Sequence, residues 1–146
     1  MPIKVLIVEQ DLVLSDLLGH LLQANGFDVT ATRAVAGFQG AGRKFEPGLF
    51  VLNLMRPDAE AAALCRQVRE IGSAPMLALS PINDPEAIAG LLDAGADDHL
   101  VKPVAGGVLI AHVRKLLRRS HASEREARPL NTLTIAPAPA AQSLPS

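Results

Sequence analysis

Short apolar runs recur along the first hundred residues, and they predict the strands of a buried sheet. Residues 3–8, 49–52 and 75–79 are almost continuously apolar, which is typical of strands that are covered on both faces of a parallel sheet. Two weaker runs, at residues 27–32 and 97–101, complete a set of five predicted strands.

Amphipathic segments between these runs predict helices. A leucine stripe over residues 14–22 stops at Asn25-Gly26, a pair that is typical of a helix C-terminus, and a weaker stripe covers residues 35–45. Asp58 and Asp84 stand before the next two apolar stripes, where their carboxylates are suited to cap the first turn of a helix. The helices therefore fall between the strands.

The alternation of strands and helices predicts one α/β domain over residues 1–120, with a doubly wound, five-stranded parallel sheet. The last predicted helix of this domain covers residues 105–119. Residues 121–146 are rich in Pro, Ala and Ser, which predicts a linker or tail. Within it, only residues 130–135 predict a short strand.

Composition and charge exclude several classes of protein. The 146 residues are 49% hydrophobic and include a single cysteine, so neither disorder nor a disulfide framework is expected. Neither a signal peptide nor a membrane span is expected. The chain is therefore expected to be cytoplasmic and to have no membrane partner. Residues 1–110 carry 8 Lys and Arg against 13 Asp and Glu, whereas residues 111–146 carry 6 against 2. That basic end is interpreted as a solvated helix face or a surface for an acidic partner.

Polar residues follow four of the predicted strands. Glu9-Gln10-Asp11 comes after the first strand and Asn53 after the third, while Ser80 and Lys102 follow the fourth and fifth. Because the carboxyl ends of parallel strands meet at one edge of the sheet, this is where ligand chemistry is expected. The four histidines show no metal-ligand spacing and no second cysteine supports a zinc site, so no metal site is predicted.

These edge residues, together with the Gly-Ala-Asp-Asp-His-Leu-Val-Lys-Pro string at residues 95–103, resemble the receiver domain of bacterial response regulators. The resemblance covers residues 3–119 and is strongest to the subfamily whose receiver precedes a winged-helix DNA-binding domain. It implies the flavodoxin-like (βα)5 fold and a signalling role in transcription regulation rather than an enzyme. DNA would be reached only through an effector domain or a partner. Residues 121–146 are expected to be a linker or tail, and the lead-in to such a domain is one interpretation of them.

In the family, an Asp at the end of the third strand accepts a phosphoryl group, with Mg²⁺ held by acids after the first strand. The resemblance places Glu9, Ser80, Lys102 with Pro103 in a cis peptide, and the carbonyl of Met55 at positions that match this pocket. Two positions depart from the family. Asn53 stands where the phosphorylated Asp belongs, and Gln10 stands where the principal Mg²⁺ ligand belongs.

The departures predict a degenerate pocket, or pseudo-receiver. A carboxamide is a poor nucleophile, and Mg²⁺ prefers anionic oxygens, so binding of the ion is expected to be weak or lost and no cofactor is predicted. Lys102 is expected to bridge to Glu9, while Asp11 is expected to point toward the start of the following helix. A competing interpretation is that the chain is an ordinary receiver in which the phosphorylated Asp has been changed to Asn53 by engineering.

Two alternative functions remain open. The first is a ligand-sensing module that binds a small anion or metabolite in the degenerate pocket, with Lys102 and Ser80 as contacts. The second is a receiver that is phosphorylated on another acid, such as Asp58 or Asp11.

The resemblance also implies an output face on the fourth helix, fifth strand and fifth helix of the family fold. There His99 replaces the family's aromatic residue, and Ala89 and Val108 replace a charged pair. The leading prediction is a homodimer through this face without phosphorylation, or contact with another signalling protein. Pairs between protomers are expected to be Asp98 with Arg119, Asp93 with Arg114, and Asp97 with His112.

Overall fold

Five parallel strands form a single sheet, and this confirms the predicted fold class. The computed structural model describes residues 2–11, 15–36 and 46–127. The order across the sheet is β2-β1-β3-β4-β5, which places β1, β3 and β4 in the interior and β5 at one edge. The strands are β1 (Lys4–Glu9), β2 (Asp28–Thr32), β3 (Leu49–Asn53), β4 (Met76–Ser80) and β5 (Asp98–Val101).

Helices cover both faces of the sheet. Those within the described residues are α1 (Ser15–Ala24), α2 (Ala59–Arg69), α3 (Pro85–Asp93) and α4 (Gly106–Ala127). Most of the helix predicted over residues 35–45, and all of the strand predicted over residues 130–135, lie outside the described residues. None of the helices in the described ranges combines the length and the apolar character that a membrane crossing requires.

The core consists of two apolar layers that the sheet separates. The layer under α2 and α3 contains Phe50, Leu52 and Leu91, and the layer under α1 and α4 contains Ile7 and Val113. Strands β3 and β4 are buried at every position, as expected for strands that are covered on both faces.

Local signals in the sequence set the helix ends. The Asp58 carboxylate accepts a hydrogen bond of 3.0 Å from the Ala61 backbone N–H at the start of α2, and Asp84 caps α3 through the N–H of Glu86. Gly95, which follows α3, has a φ of +128°, a conformation that side-chain-bearing residues avoid. The two caps confirm the helix starts predicted at Asp58 and Asp84.

The last helix is longer than predicted. Helix α4 ends at Ala127, although the sequence predicts its end at residue 119 and a tail from residue 121. The extra turns contain Ala, Glu and Arg, which favour helix, and Pro129 is the first proline after the helix starts. The helix therefore crosses the predicted boundary at residue 120.

Candidate functional site

The predicted polar residues meet at the carboxyl edge of the sheet. Glu9 and Asn53 are register partners at the ends of β1 and β3. The carbonyl of Asn53 accepts hydrogen bonds from the backbone N–H groups of Gln10, at 2.8 Å, and Asp11, at 3.2 Å. Lys102 is joined to this edge by its own N–H, which donates to the Ser80 carbonyl at 2.9 Å. The backbone alone therefore fixes the loops that carry these side chains.

A closed network of three side chains occupies the centre of this pocket. The Lys102 ammonium donates to Asp11 Oδ2 at 2.9 Å and to Asn53 Oδ1 at 2.8 Å. The Asn53 carboxamide in turn donates from Nδ2 to the Asp11 backbone carbonyl at 3.0 Å. The side chain of Lys102 is 9% exposed, so its charge is largely removed from water. The stability of that charge therefore depends on the oxygens of Asp11 and Asn53. The Lys102–Pro103 peptide is cis, as the resemblance implies.

The prediction that Lys102 bridges to Glu9 was wrong. The ammonium pairs with Asp11 rather than Glu9, and Asp11 points into the pocket instead of toward the helix start. Glu9 Oε1 is buried and has no hydrogen-bond partner within the described residues. A signal for Asp11 was present in the sequence, because a second acid after the first strand gives Lys102 a second carboxylate within reach. With both acids counted against Lys102, the pocket has a formal charge of −1.

The donor set of the pocket fits a magnesium ion poorly. Asp11 and Asn53 turn an oxygen to Lys102, and Gln10 Oε1 accepts a hydrogen bond of 3.4 Å from the Met55 N–H. Of the two acids of the pocket, Glu9 is the one with a side-chain oxygen, Oε1, that has no hydrogen-bond partner among the described residues. Across the described residues, no three His, Cys, Asp or Glu side chains are grouped as a metal site. Since a hard cation requires several anionic oxygens, this arrangement favours the lysine over Mg²⁺.

Ser80 connects the pocket to β5, which belongs to the predicted output face. Its hydroxyl is fully buried and lies 2.8 Å from His99 Nε2, while His99 is the second residue of β5. Burial lowers the pKa of His99, and the neighbouring Asp98 carboxylate partly opposes this effect. The neutral imidazole is therefore the favoured form in the folded chain.

The lowered pKa of His99 predicts a pH dependence of stability. Because the folded pKa lies below the ordinary 6.5, the unfolded chain binds the proton first as the pH falls from about 6.5. The free energy of unfolding should decrease below that pH, until the folded pKa is also passed. Replacement His99→Phe should reduce this decrease, measured as urea unfolding between pH 7.5 and 5.5.

The matched control for this prediction is His20→Phe, which removes an exposed histidine. Asp98 and His112, the titratable groups that contact this part of β5, remain in all three proteins. Equal pH profiles for wild type and His99→Phe would contradict the prediction.

Exposed apolar side chains lie on the predicted output face. Leu92 of α3, Val101 of β5 and Val108 of α4 are 42%, 38% and 48% exposed, and Ala89 is exposed one turn before Leu92. These residues belong to the edge strand and the two helices next to it in sequence. The two positions that lack the family's charged pair, Ala89 and Val108, are thus accessible.

The charged residues of this face make contacts within the chain. Asp97 accepts from Arg69 at 3.3 Å and from the Met76 N–H at 2.8 Å. His112 Nδ1 lies 3.2 Å from Asp98 Oδ2. The expected pair of Asp97 with His112 therefore competes with contacts inside one protomer.

Three other charged positions of this face are exposed. They are Asp93, Arg114 and Arg119. The Arg114 guanidinium also lies 3.4 Å from the side-chain oxygen of Asn25. The pairs expected for these residues between protomers stay predictions.

Comparison with known proteins agrees with this geometry. Residues 5–114 match the response regulator receiver domain family. The chain therefore belongs to the response regulator receiver family, the class that its five-stranded sheet and carboxyl-edge pocket define.

Among curated proteins, the transcriptional regulatory protein CseB of Streptomyces avermitilis is 37% identical over 126 residues, which cover 86% of this chain and 54% of CseB. The response regulator MprA of Mycobacterium sp. (strain KMS) is 35% identical over 142 residues, which cover 94% of this chain and 61% of MprA. The chain thus spans between about half and three fifths of these relatives.

Solved structures show the same fold. A two-component response regulator from Clostridium difficile is 26% identical and superimposes with a TM-score of 0.71, over 81% of this chain and 98% of that one. A CheY-like receiver domain protein from Methanospirillum hungatei, at 19% identity, gives a TM-score of 0.72 over 84% of this chain and 99% of that one.

Proposed function

We propose that this chain is the receiver part of a response regulator that acts through protein contacts without accepting a phosphoryl group. Asn53 is the observation that carries the proposal. Its carboxamide stands at the end of β3, where the family has a nucleophilic carboxylate, and Lys102 and the Asp11 carbonyl hold its two polar atoms. The amide nitrogen shares its lone pair with the carbonyl, so it does not attack phosphorus.

We also propose that the pocket works without Mg²⁺. In the family pocket the ion offsets an excess of carboxylates, whereas here Gln10 and Asn53 are neutral and Lys102 already neutralises Asp11. The Lys102–Asp11 pair takes over the role of holding the β1 and β5 loops together. The pocket then has one fixed state rather than two that a phosphoryl group would interconvert.

The output face is proposed to form a weak homodimer. Its exposed apolar side chains, Leu92, Val101 and Val108, gain free energy when a second copy covers them. The surrounding ion pairs contribute little, since exposed pairs are worth about 0–1 kcal/mol each. Contact with a different signalling protein would use the same face.

Regulation of transcription would require a further DNA-binding region or partner. CseB is named a transcriptional regulatory protein and MprA a response regulator, and both are longer than the matched part. Residues 121–146, which follow the matched receiver residues, are proposed to lead into an effector region. The receiver would then control that region through its dimer.

Sedimentation velocity at 10–300 µM, with and without acetyl phosphate and Mg²⁺, tests the dimer. We expect Val108→Glu to weaken self-association by about tenfold or more, because an unpaired carboxylate would enter an apolar contact. Leu17→Glu places the same charge on an exposed leucine of α1, outside the face, and should leave association unchanged.

Phosphate-affinity electrophoresis of the same samples should show no modified protein. A shifted band would overturn the phosphorylation-independent mechanism, and mass spectrometry would show whether Asp11 or Asp58 carries the group. A monomer at every concentration would overturn the homodimer and favour a different partner. Asp98→Arg is a less clean test, since Asp98 also contacts His99 and His112 within the chain.

A further inference from the structure

A cavity of about 590 Å³ lies beside the pocket, between α1 and the segment that leads from β5 into α4. Cavities of about 300–1,000 Å³ are typical of sites that enclose small organic molecules. The cavity shares Asn53 and Lys102 with the pocket but extends beside α1 into a volume that the proposed signalling mechanism does not use.

The walls of the cavity are mostly apolar. Leu18 and Leu21 of α1 face Leu79 of β4 and Val104 and Leu109 on the approach to α4. Leu18, Leu79 and Leu109 belong to the core layer under α1 and α4. Because these three lining residues are parts of the packed core, their side of the cavity has a defined shape. An apolar ligand body that packs against them would be removed from water.

The polar side chains that line the cavity are Asn53, Lys102 and His20, and the first two are joined by a hydrogen bond. An ammonium group carries three hydrogens, and two of them are directed to Asp11 and Asn53. A carboxamide carries two N–H donors, and one is directed to the Asp11 carbonyl. Both side chains therefore have a donor to offer and favour an acceptor oxygen on a ligand.

We propose that this cavity binds a small molecule with an apolar body and one terminal acceptor oxygen, of the kind a medium-chain carboxylate presents. This deepens the ligand-sensing alternative drawn from the sequence, with Lys102 as a contact; Ser80 is not among the lining residues of the cavity. The proposal goes beyond phosphorylation-independent signalling and does not depend on the homodimer.

Occupancy of the cavity has a direct route to the output face. The backbone N–H of Lys102 donates to the Ser80 carbonyl, and the Ser80 hydroxyl bonds His99 on β5. A ligand oxygen that accepts the remaining hydrogen of the Lys102 ammonium would act on the residue that makes the first link of this chain. The ligand would thereby occupy the position in signalling that the phosphoryl group has in the family.

Binding is tested with decanoate and decylammonium as probes, by titration of amide NMR spectra of the whole chain below the micellar concentration of each probe. We expect decanoate to shift amides of α1 and of residues 102–109. Decylammonium has the same chain but a donor head, and should bind about tenfold or more weakly, since its head leaves the donors of Asn53 and Lys102 unpaired.

Two adjacent glycines supply a matched pair of variants. A Cβ added at Gly106 would lie 3.4 Å from Leu21 in the cavity, whereas a Cβ added at Gly107 meets nothing within 4 Å. Gly106→Leu should therefore fill the cavity and weaken decanoate binding by about tenfold or more. Gly107→Leu adds the same side chain to the same helix turn and should bind like the wild type.

Several results would overturn the ligand site. These are the absence of amide shifts with decanoate, shifts confined to α2 and α3, equal affinity for the two probes, or equal affinity of the two leucine variants. If Gly106→Leu does not fold, the location of the amide shifts in the wild type decides the question. Failure of the ligand proposal leaves the dimer proposal standing, because sedimentation velocity measures self-association in the absence of decanoate and decylammonium.

Discussion

The double variant Gln10→Asp/Asn53→Asp is expected to accept a phosphoryl group from acetyl phosphate in the presence of Mg²⁺, whereas the wild type is not. In this reaction a carboxylate oxygen of residue 53 bonds to phosphorus, and acetate leaves with the electron pair of the broken P–O bond. The rest of the pocket is already in place: Lys102, Ser80 and Glu9 stand at the ends of β5, β4 and β1.

Charge explains why both substitutions are needed. Glu9 and Asp11 against Lys102 give −1 in the wild type, and two added carboxylates give −3. Only a divalent cation offsets that excess, and Gln10→Asp supplies an anionic ligand for it. With Asn53→Asp alone, the nucleophile is present but the metal is held weakly, so we expect phosphorylation about 100-fold slower than in the double variant.

Thermal unfolding supplies a second measurement for this prediction. Mg²⁺ should raise the melting temperature of the double variant, because the ion binds the folded state selectively, and should leave the wild type unchanged. Gln10→Asp alone is the control for metal binding without a nucleophile. Modification of the double variant at a site other than residue 53, or a wild type that is modified equally, would contradict the interpretation of Asn53.

The order of elements and most of the pocket could be predicted from the sequence because both depend on local signals. Continuous apolar runs fixed β1, β3 and β4, and the caps Asp58 and Asp84 fixed two helix starts. Parallel strands then bring their carboxyl ends to one edge of the sheet, so Asn53 and Lys102 had to lie at the same edge, with β4 between their strands. None of these steps requires knowledge of a side-chain conformation.

The errors concern side chains in loops and interactions that are distant in sequence. Whether Glu9 or Asp11 reaches Lys102 depends on how the chain turns after β1, which periodicity does not specify. Arg69 was missed for a similar reason, since its partners lie in two loops that are separated by a helix and a strand. The cavity depends on the spacing between α1 and α4, which no sequence pattern indicates.

Arg69→Met is expected to lower the free energy of unfolding by about 2–3 kcal/mol. The guanidinium at the end of α2 donates to the carbonyls of Ala74, at 2.6 Å, and Gly95, at 2.7 Å. It also contacts Gly72 and Asp97 and lies 6.0 Å from the centre of the Phe50 ring. One side chain therefore joins the loop before β4 to the loop before β5.

Arg66→Met is the matched control, because it removes the same charge from an exposed position of the same helix. Its effect in urea unfolding should stay within about 0.5 kcal/mol, as for most surface substitutions. Methionine keeps the contact of the Arg69 stem with its surroundings, so the difference between the variants measures the lost hydrogen bonds together with the contacts to Asp97 and the Phe50 ring. Because the freed carbonyls lie in loops that water can partly reach, the loss should stay below that for fully buried groups. Equal losses for the two variants would mean that Arg69 contributes only its charge.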